Sequence, residues 1–215
     1  MKVSKNLQGL LELVMPSNYD LIVPEQFYHF YNRAVGSEKL FLNEENYRFF
    51  LSKINTYIPA VTTIYAYCLL PNHFHFFVKI KTQKEILELY ETKKNKLMLQ
   101  NDAVVMSEFI MEQFSNCFNS YAKSFNKTYN RKGKLFMDYL HRKLVDDINY
   151  YAKIIHYIHT NPIKHKMVQN IAEWKYSSYN AYINSQPTKL PRNEVIDWYG
   201  SVQQFIQFHK DLEGF

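Results

Sequence analysis

Residues 70–79 read Leu70-Pro71-Asn72-His73-Phe74-His75-Phe76-Phe77-Val78-Lys79. Two histidines stand two apart inside a run of aromatic and β-branched residues. Alternation with period two marks a strand, and in a strand residues i and i+2 point the same way. His73 and His75 therefore project from one face. Phe74 and Phe76 take the other, and Phe77 returns to the histidine side. Two imidazoles side by side make half of a metal site. A bare His-x-His is more often structural than ligating, so its meaning depends on what the rest of the chain supplies.

Upstream, Thr62–Leu70 is β-branched and aromatic, and Pro71-Asn72 turns it back into the histidine strand His73–Ile80, an antiparallel pair. Before it, Asn43 caps a helix with Glu44 and Glu45 in its first turn. That helix runs to about Tyr57 and is closed by Pro59. Gln26–Arg33 is an aromatic strand followed by a turn at Gly36, and a short helix is expected at Leu7–Val14. Downstream, residues 81–103 are lysine-rich and read as a solvated helix or a mobile insertion. Met106–Asn126 has the spacing of a long helix, and cations cluster around Gly133. Leu135–Val145 reads as a fourth strand. Asp146 is an N-cap for a helix from about Asp147 to Thr160, which should stop near Asn161-Pro162. Aromatic residues 174–182 should pack back, and a last helix is expected at Val202–Leu212. The order β-α-β-β-α-β-α predicts an α+β, ferredoxin-like split βαβ fold. It has a four-stranded antiparallel sheet and helices on one face. The expected organisation is an N-terminal extension 1–24, a domain 25–183 and a C-terminal extension 184–215.

The 215 residues suit one domain with extensions, and 47% hydrophobic content is enough for a core. The 18 tyrosines and 16 phenylalanines supply an aromatic core and platforms on which bases can stack. A net charge of +6 favours a polyanionic partner. Cys68 and Cys117 match no zinc spacing, and Cys68 reads as a buried thiol. No stretch approaches a membrane span, so no membrane partner and a cytoplasmic location are expected.

The last long helix carries Tyr157 and Asn161, four apart and so on one face. An amide oxygen can complete a hard-cation site begun by two imidazoles, with a tyrosine hydroxyl one turn away. Tyr150 shares that face two turns earlier, and neither it nor Tyr151 has an amide four residues on. Lys153, one turn before Tyr157, is the local cation that could assist its deprotonation.

At this point the chain resembles the single-tyrosine HUH transposases, in particular the REP-associated tyrosine transposase group. The matching stretches are YHFYNR, YCLLPNHFHFFVKI, NSYAKSFNKTYNRKGKLF, YIHTNPIKHKMV and WKYSSYNAY, in order over about residues 26–182. The resemblance implies a metal-dependent enzyme that cleaves and rejoins single-stranded or hairpin DNA. His73 and His75 match the HUH pair, Asn161 the third metal position and Tyr157 the nucleophile, with Mg²⁺ or Mn²⁺ as the cofactor. Arg33, Arg131, Lys132, Lys134, Arg142, Lys143, Lys164 and Lys166 become candidate phosphate contacts, with Asn32, Tyr129 and Asn130 as base readers. His156 and His159 are assigned to packing or DNA contact. Lys166 departs from the pattern, where relatives tend to carry glycine. A homodimer stays open, since some relatives complete each other's sites and others act as monomers. A non-catalytic nucleic-acid-binding module and an HUH nicking enzyme are the competing readings.

Overall fold

The computed structural model describes residues 21–98 and 102–211; the expected helix at Leu7–Val14 lies outside them. Four strands, β1 (Phe27–Arg33), β2 (Thr62–Leu70), β3 (His73–Ile80) and β4 (His141–Val145), form one antiparallel sheet in the order β2-β3-β1-β4. This is the split βαβ arrangement. Among the described residues there are seven α-helices: α1 (Glu44–Tyr57), α2 (Gln83–Lys94), α3 (Ala103–Thr128), α4 (Ile148–Lys164), α5 (Tyr179–Ile183), α6 (Arg192–Tyr199) and α7 (Val202–Asp211).

Local chemistry accounts for most boundaries. The Asn43 side chain accepts from Asn46 N at the start of α1, with Glu44 and Glu45 in the first turn. Residues 81–94 are more ordered than a mobile insertion. Thr82 and Glu85 form a reciprocal capping box, and α2 buries Ile86 and Tyr90. β4 is shorter than the expected Leu135–Val145. Phe136 makes a single bridge to Ala34, the Met137 carbonyl accepts from Asn32 Nδ2, and the chain rejoins the sheet only at His141. The cap of α4 is Asp147 rather than Asp146, since Asp147 Oδ1 accepts from Asn149 N.

α4 also runs past Pro162 to Lys164. A proline inside a helix removes one backbone donor. The turn is held by its neighbours: Thr160 Oγ1 donates to the His156 carbonyl at 2.9 Å, and Asn161 Nδ2 to the Tyr157 carbonyl at 2.7 Å. The helix then ends with Lys166 N bonded to Ile163 O and Met167 N to Pro162 O, with Lys166 at φ 56°. That is a Schellman closure with a lysine at the left-handed position.

The sheet is covered on both faces. The split βαβ unit meets expectation, because α1 and α3 lie together on the face of Tyr28, Phe30, Phe74, Phe76 and Val78, with Phe50, Phe114 and Phe118 in that core. α4 lies on the opposite face with Phe27, Tyr65 and Phe77, contributing Tyr151, Ile154, Ile155 and Ile158. Helices on one face therefore describe only part of the molecule. The reason is visible in β1 and β3: Phe27 and Phe77 are apolar side chains on the histidine face and require cover. Val195 and Phe205, from the stretch expected as an extension, are fully buried in this second core. Residues 176–178 bond along the outer edge of β2, through Leu69 N to Tyr176 O and Ser178 N to Tyr67 O. Among the described residues no helix is long and apolar enough to cross a membrane.

Candidate active site

The antiparallel register places Tyr31 beside His75 and Arg33 beside His73. The two histidine rings stand 5.3 Å apart and perpendicular, on the α4 face as the alternation predicts. Above them α4 and its C-cap residue carry Tyr157, Asn161 and His165 at i, i+4 and i+8. The Tyr157 ring meets His75 edge-on at 5.6 Å, and the His165 ring meets His73 at 4.8 Å. Asn161 lies one helical turn from each on the same helix and is buried.

Burial pushes His75 down to about 2 and His73 to about 4, with neighbouring histidines adding to both shifts. Both rings are neutral at pH 7, the form that can ligate a metal. His73 Nδ1–H donates to Asn72 Oδ1 at 2.7 Å, which leaves its Nε2 with a lone pair. Asn161 commits its Nδ2 to the Tyr157 carbonyl, so its Oδ1 is the end left for a cation. His73, His75 and Asn161 are the residues that could hold a divalent cation; two of the three donors are imidazole nitrogens, so a hard ion such as Mg²⁺ or Mn²⁺ would take its remaining ligands from oxygen. Among the described residues no three His, Cys, Asp or Glu side chains converge on one point. An all-histidine or carboxylate site is therefore not formed here.

Tyr157 is 36% exposed and lines a cavity of about 570 Å³ with His29, Tyr31, His75, Lys143 and Tyr150. Burial raises its phenol above the ordinary tyrosine value, and a hydrogen bond from the Asn161 side chain pulls the other way. The cation seated on its ring is Lys164, with Nζ 4.9 Å from the centroid. Lys153, one turn before Tyr157, is exposed.

The remaining candidates divide by position. Lys143 lines the Tyr157 cavity, Lys164 sits over the Tyr157 ring, and Arg33 lines a cleft with His73 and His165. Arg142 lines a separate groove against α3 on the opposite face. Arg131 is committed internally: Nε and Nη2 each meet the Glu38 carboxylate at 2.8 Å, and its other donors bond Asn126 Oδ1 and the Gly133 and Lys134 carbonyls. Lys134 pairs with Asp138, whereas Lys132 and Lys166 are exposed. Asn32 is buried and holds Met137, and the Tyr129 hydroxyl bonds Asn43 and Asn46. Asn130 adopts φ 49° where α3 gives way to the basic turn. His156 and His159 are both packed inside. His159 Nδ1 contacts His209 Nε2 at 3.0 Å and its Nε2 accepts from Ser178 Oγ at 2.7 Å.

The sequence reading missed His29. It lies on β1, is 8% exposed, and its Nε2 contacts His75 Nδ1 at 3.0 Å. Its ring meets that of Tyr157 edge-on at 5.8 Å. The available signal was the spacing of His29 and Tyr31, two apart on a strand and so on one face. Only the β1–β3 pairing reveals that this is the His75 face.

A Haemophilus influenzae protein named REP-associated tyrosine transposase is 24% identical over 123 residues, 56% of this chain and 61% of the relative. A solved structure of a REP-associated tyrosine transposase bound to a REP hairpin superposes with a TM-score of 0.53 at 15% identity, covering 79% of this chain and 86% of that one. The chain resembles these transposases in sequence and in fold. It spans less than two thirds of the length of the H. influenzae relative. No protein-family model matches it. The structural likeness bears on the α+β fold and its four-stranded sheet.

Proposed function

We propose that this protein is a metal-dependent, single-tyrosine DNA transposase or strand transferase that acts on hairpin-bearing single-stranded DNA. The observation that carries this reading is the partly exposed Tyr157 phenol held by α4 against His75, one of the two neutral histidines of the pair. The name of the sequence relative and the hairpin in the neighbouring structure supply the substrate class.

His73, His75 and Asn161 Oδ1 would hold Mg²⁺ or Mn²⁺, which when bound neutralises the scissile phosphate's oxygens. Tyr157 Oη attacks phosphorus. The new bond is Oη–P and the broken bond is P–O3′, leaving a 5′-phosphotyrosine and a 3′-hydroxyl that takes up a proton. The reverse exchange, by an incoming 3′-hydroxyl, rejoins DNA and restores the tyrosine. A phosphodiester is traded for a phosphodiester, so no nucleotide hydrolysis is required. Lys143, in the cavity wall, and Lys164, on the Tyr157 ring, contact the flanking phosphates and fix the strand without reading its sequence.

The test is a covalent-adduct assay with hairpin oligonucleotides from the flanks of the gene, in Mn²⁺ or EDTA. A Mn²⁺-dependent protein–DNA adduct, absent in Tyr157→Phe, is expected. Tight binding of a hairpin with no adduct under any metal condition would point instead to a non-catalytic binding module.

A further inference from the structure

We infer that His29 is a positioning residue: it accepts a hydrogen bond from His75 Nδ1–H and so holds the His75 Nε2 lone pair toward the cation. This inference rests on the metal reading above and adds a residue that the HUH pattern does not contain.

The contact between His29 Nε2 and His75 Nδ1 is 3.0 Å long, between two residues that are 8% and 6% exposed. Two neutral rings that close share a single proton. If His29 donates, the His75 proton must sit on Nε2, and that nitrogen has no lone pair to offer. If His75 donates, its Nε2 is bare. The neighbouring histidine favours the second arrangement by analogy. His73 Nδ1 faces Asn72 Oδ1, an oxygen that can only accept, so His73 is held with Nε2 bare. The two members of the pair are then set alike, one by an amide oxygen in its own turn and the other by an imidazole from the adjacent strand. Ligating histidines commonly donate their second N–H to such a partner, which orients the ring and raises its basicity.

The same proton placement leaves His29 with Nδ1–H. Among the described residues His156 Nε2 is the one buried side-chain nitrogen or oxygen without a hydrogen-bond partner. His29 Nδ1 has no protein partner there, so it is reached from the cavity it lines with Tyr157. A donor at that wall complements a bound phosphate.

The test uses the full chain and has two readouts. Long-range ¹H–¹⁵N spectra of the metal-free protein at neutral pH report the tautomer of His75. The inference expects Nδ1–H in the wild type; Nε2–H there overturns it, whatever the metal does. Mn²⁺ affinity is then measured by electron paramagnetic resonance on wild type, His29→Phe and His29→Gln. His29→Phe keeps a ring without the acceptor, and a loss of about 10- to 100-fold is expected. His29→Gln restores an acceptor and should recover most of that loss. Equal Mn²⁺ affinity in wild type and folded His29→Phe overturns the inference, as does a loss that glutamine does not repair. If the wild type binds no Mn²⁺ while His75 shows Nδ1–H, the metal reading fails and the hydrogen-bond assignment stands.

Discussion

As the proposed nucleophile Tyr157 starts at a disadvantage, because burial holds its phenol above the ordinary tyrosine value and the Asn161 side chain offsets that only in part. Positive charge must be supplied, and Lys164 on its ring is the cation that packing provides. Tyr150 lines the same cavity, so exposure alone does not separate the two tyrosines. Contact with His75 does, since the Tyr157 ring meets it. Tyr150→Phe should therefore keep the covalent adduct that Tyr157→Phe loses on the same denaturing gel. The basic residues separate by a different measurement. Lys143→Gln and Lys164→Gln should each lower the slope of log K against log salt for hairpin binding by about one. Arg131→Gln should leave that slope unchanged and lower the melting temperature, because its guanidinium ties the basic turn to Glu38. In sequence, Arg131 and Lys143 are both simply cations near a turn or strand; which one is spent on structure depends on a glutamate 93 positions away.

At the scale of elements, α4 gathers most of the site. Its closure shows a strain that can be relieved. Lys166 occupies φ 56°, where a side chain costs about 1–2 kcal/mol and glycine nothing comparable. Lys166→Gly should raise stability by about 1 kcal/mol, read as a rise of a few degrees in melting temperature. The departure from glycine is visible in the sequence, and its backbone meaning follows from the helix end. The hairpin β2–β3 was legible residue by residue, since alternation and the Pro71-Asn72 turn are local. The two ends of α4 were less so. Asp146 and Asp147 are equally good caps in isolation, and the continuation through Pro162 depends on side chains bonding back to the preceding turn.

Across the whole molecule, a buried relay ties the C-terminal helices to the site helix. Ser178 Oγ donates to His159 Nε2, His159 Nδ1–H to His209 Nε2, and His209 Nδ1–H to the Phe205 carbonyl. Every ring is neutral, and burial pushes His209 down to about 3 and His159 well below its ordinary value. In the unfolded chain both titrate near 6.5. Below that pH the unfolded state takes up protons that the folded state refuses, so stability falls as pH drops from about 6.5 toward 3. Each such histidine contributes about 1.4 kcal/mol per pH unit in that window. The urea midpoint should be lower at pH 5 than at pH 7.5. A His159→Asn/His209→Gln variant that still folds should show a shallower dependence.

Local physics is what the sequence by itself determined: the histidine strand and its shared face, the paired strands, the Asn43 cap of the first helix, and a tyrosine one turn from an amide. Each follows from contacts within a few residues, where alternation, capping and helical spacing act. Tertiary structure alone decided that α4 covers the histidine face, that His29 meets His75 from 46 positions away, and that residues beyond 184 complete the second core. Those outcomes depend on burying both faces of one sheet at once, which couples strand order, register and helix placement across the whole chain.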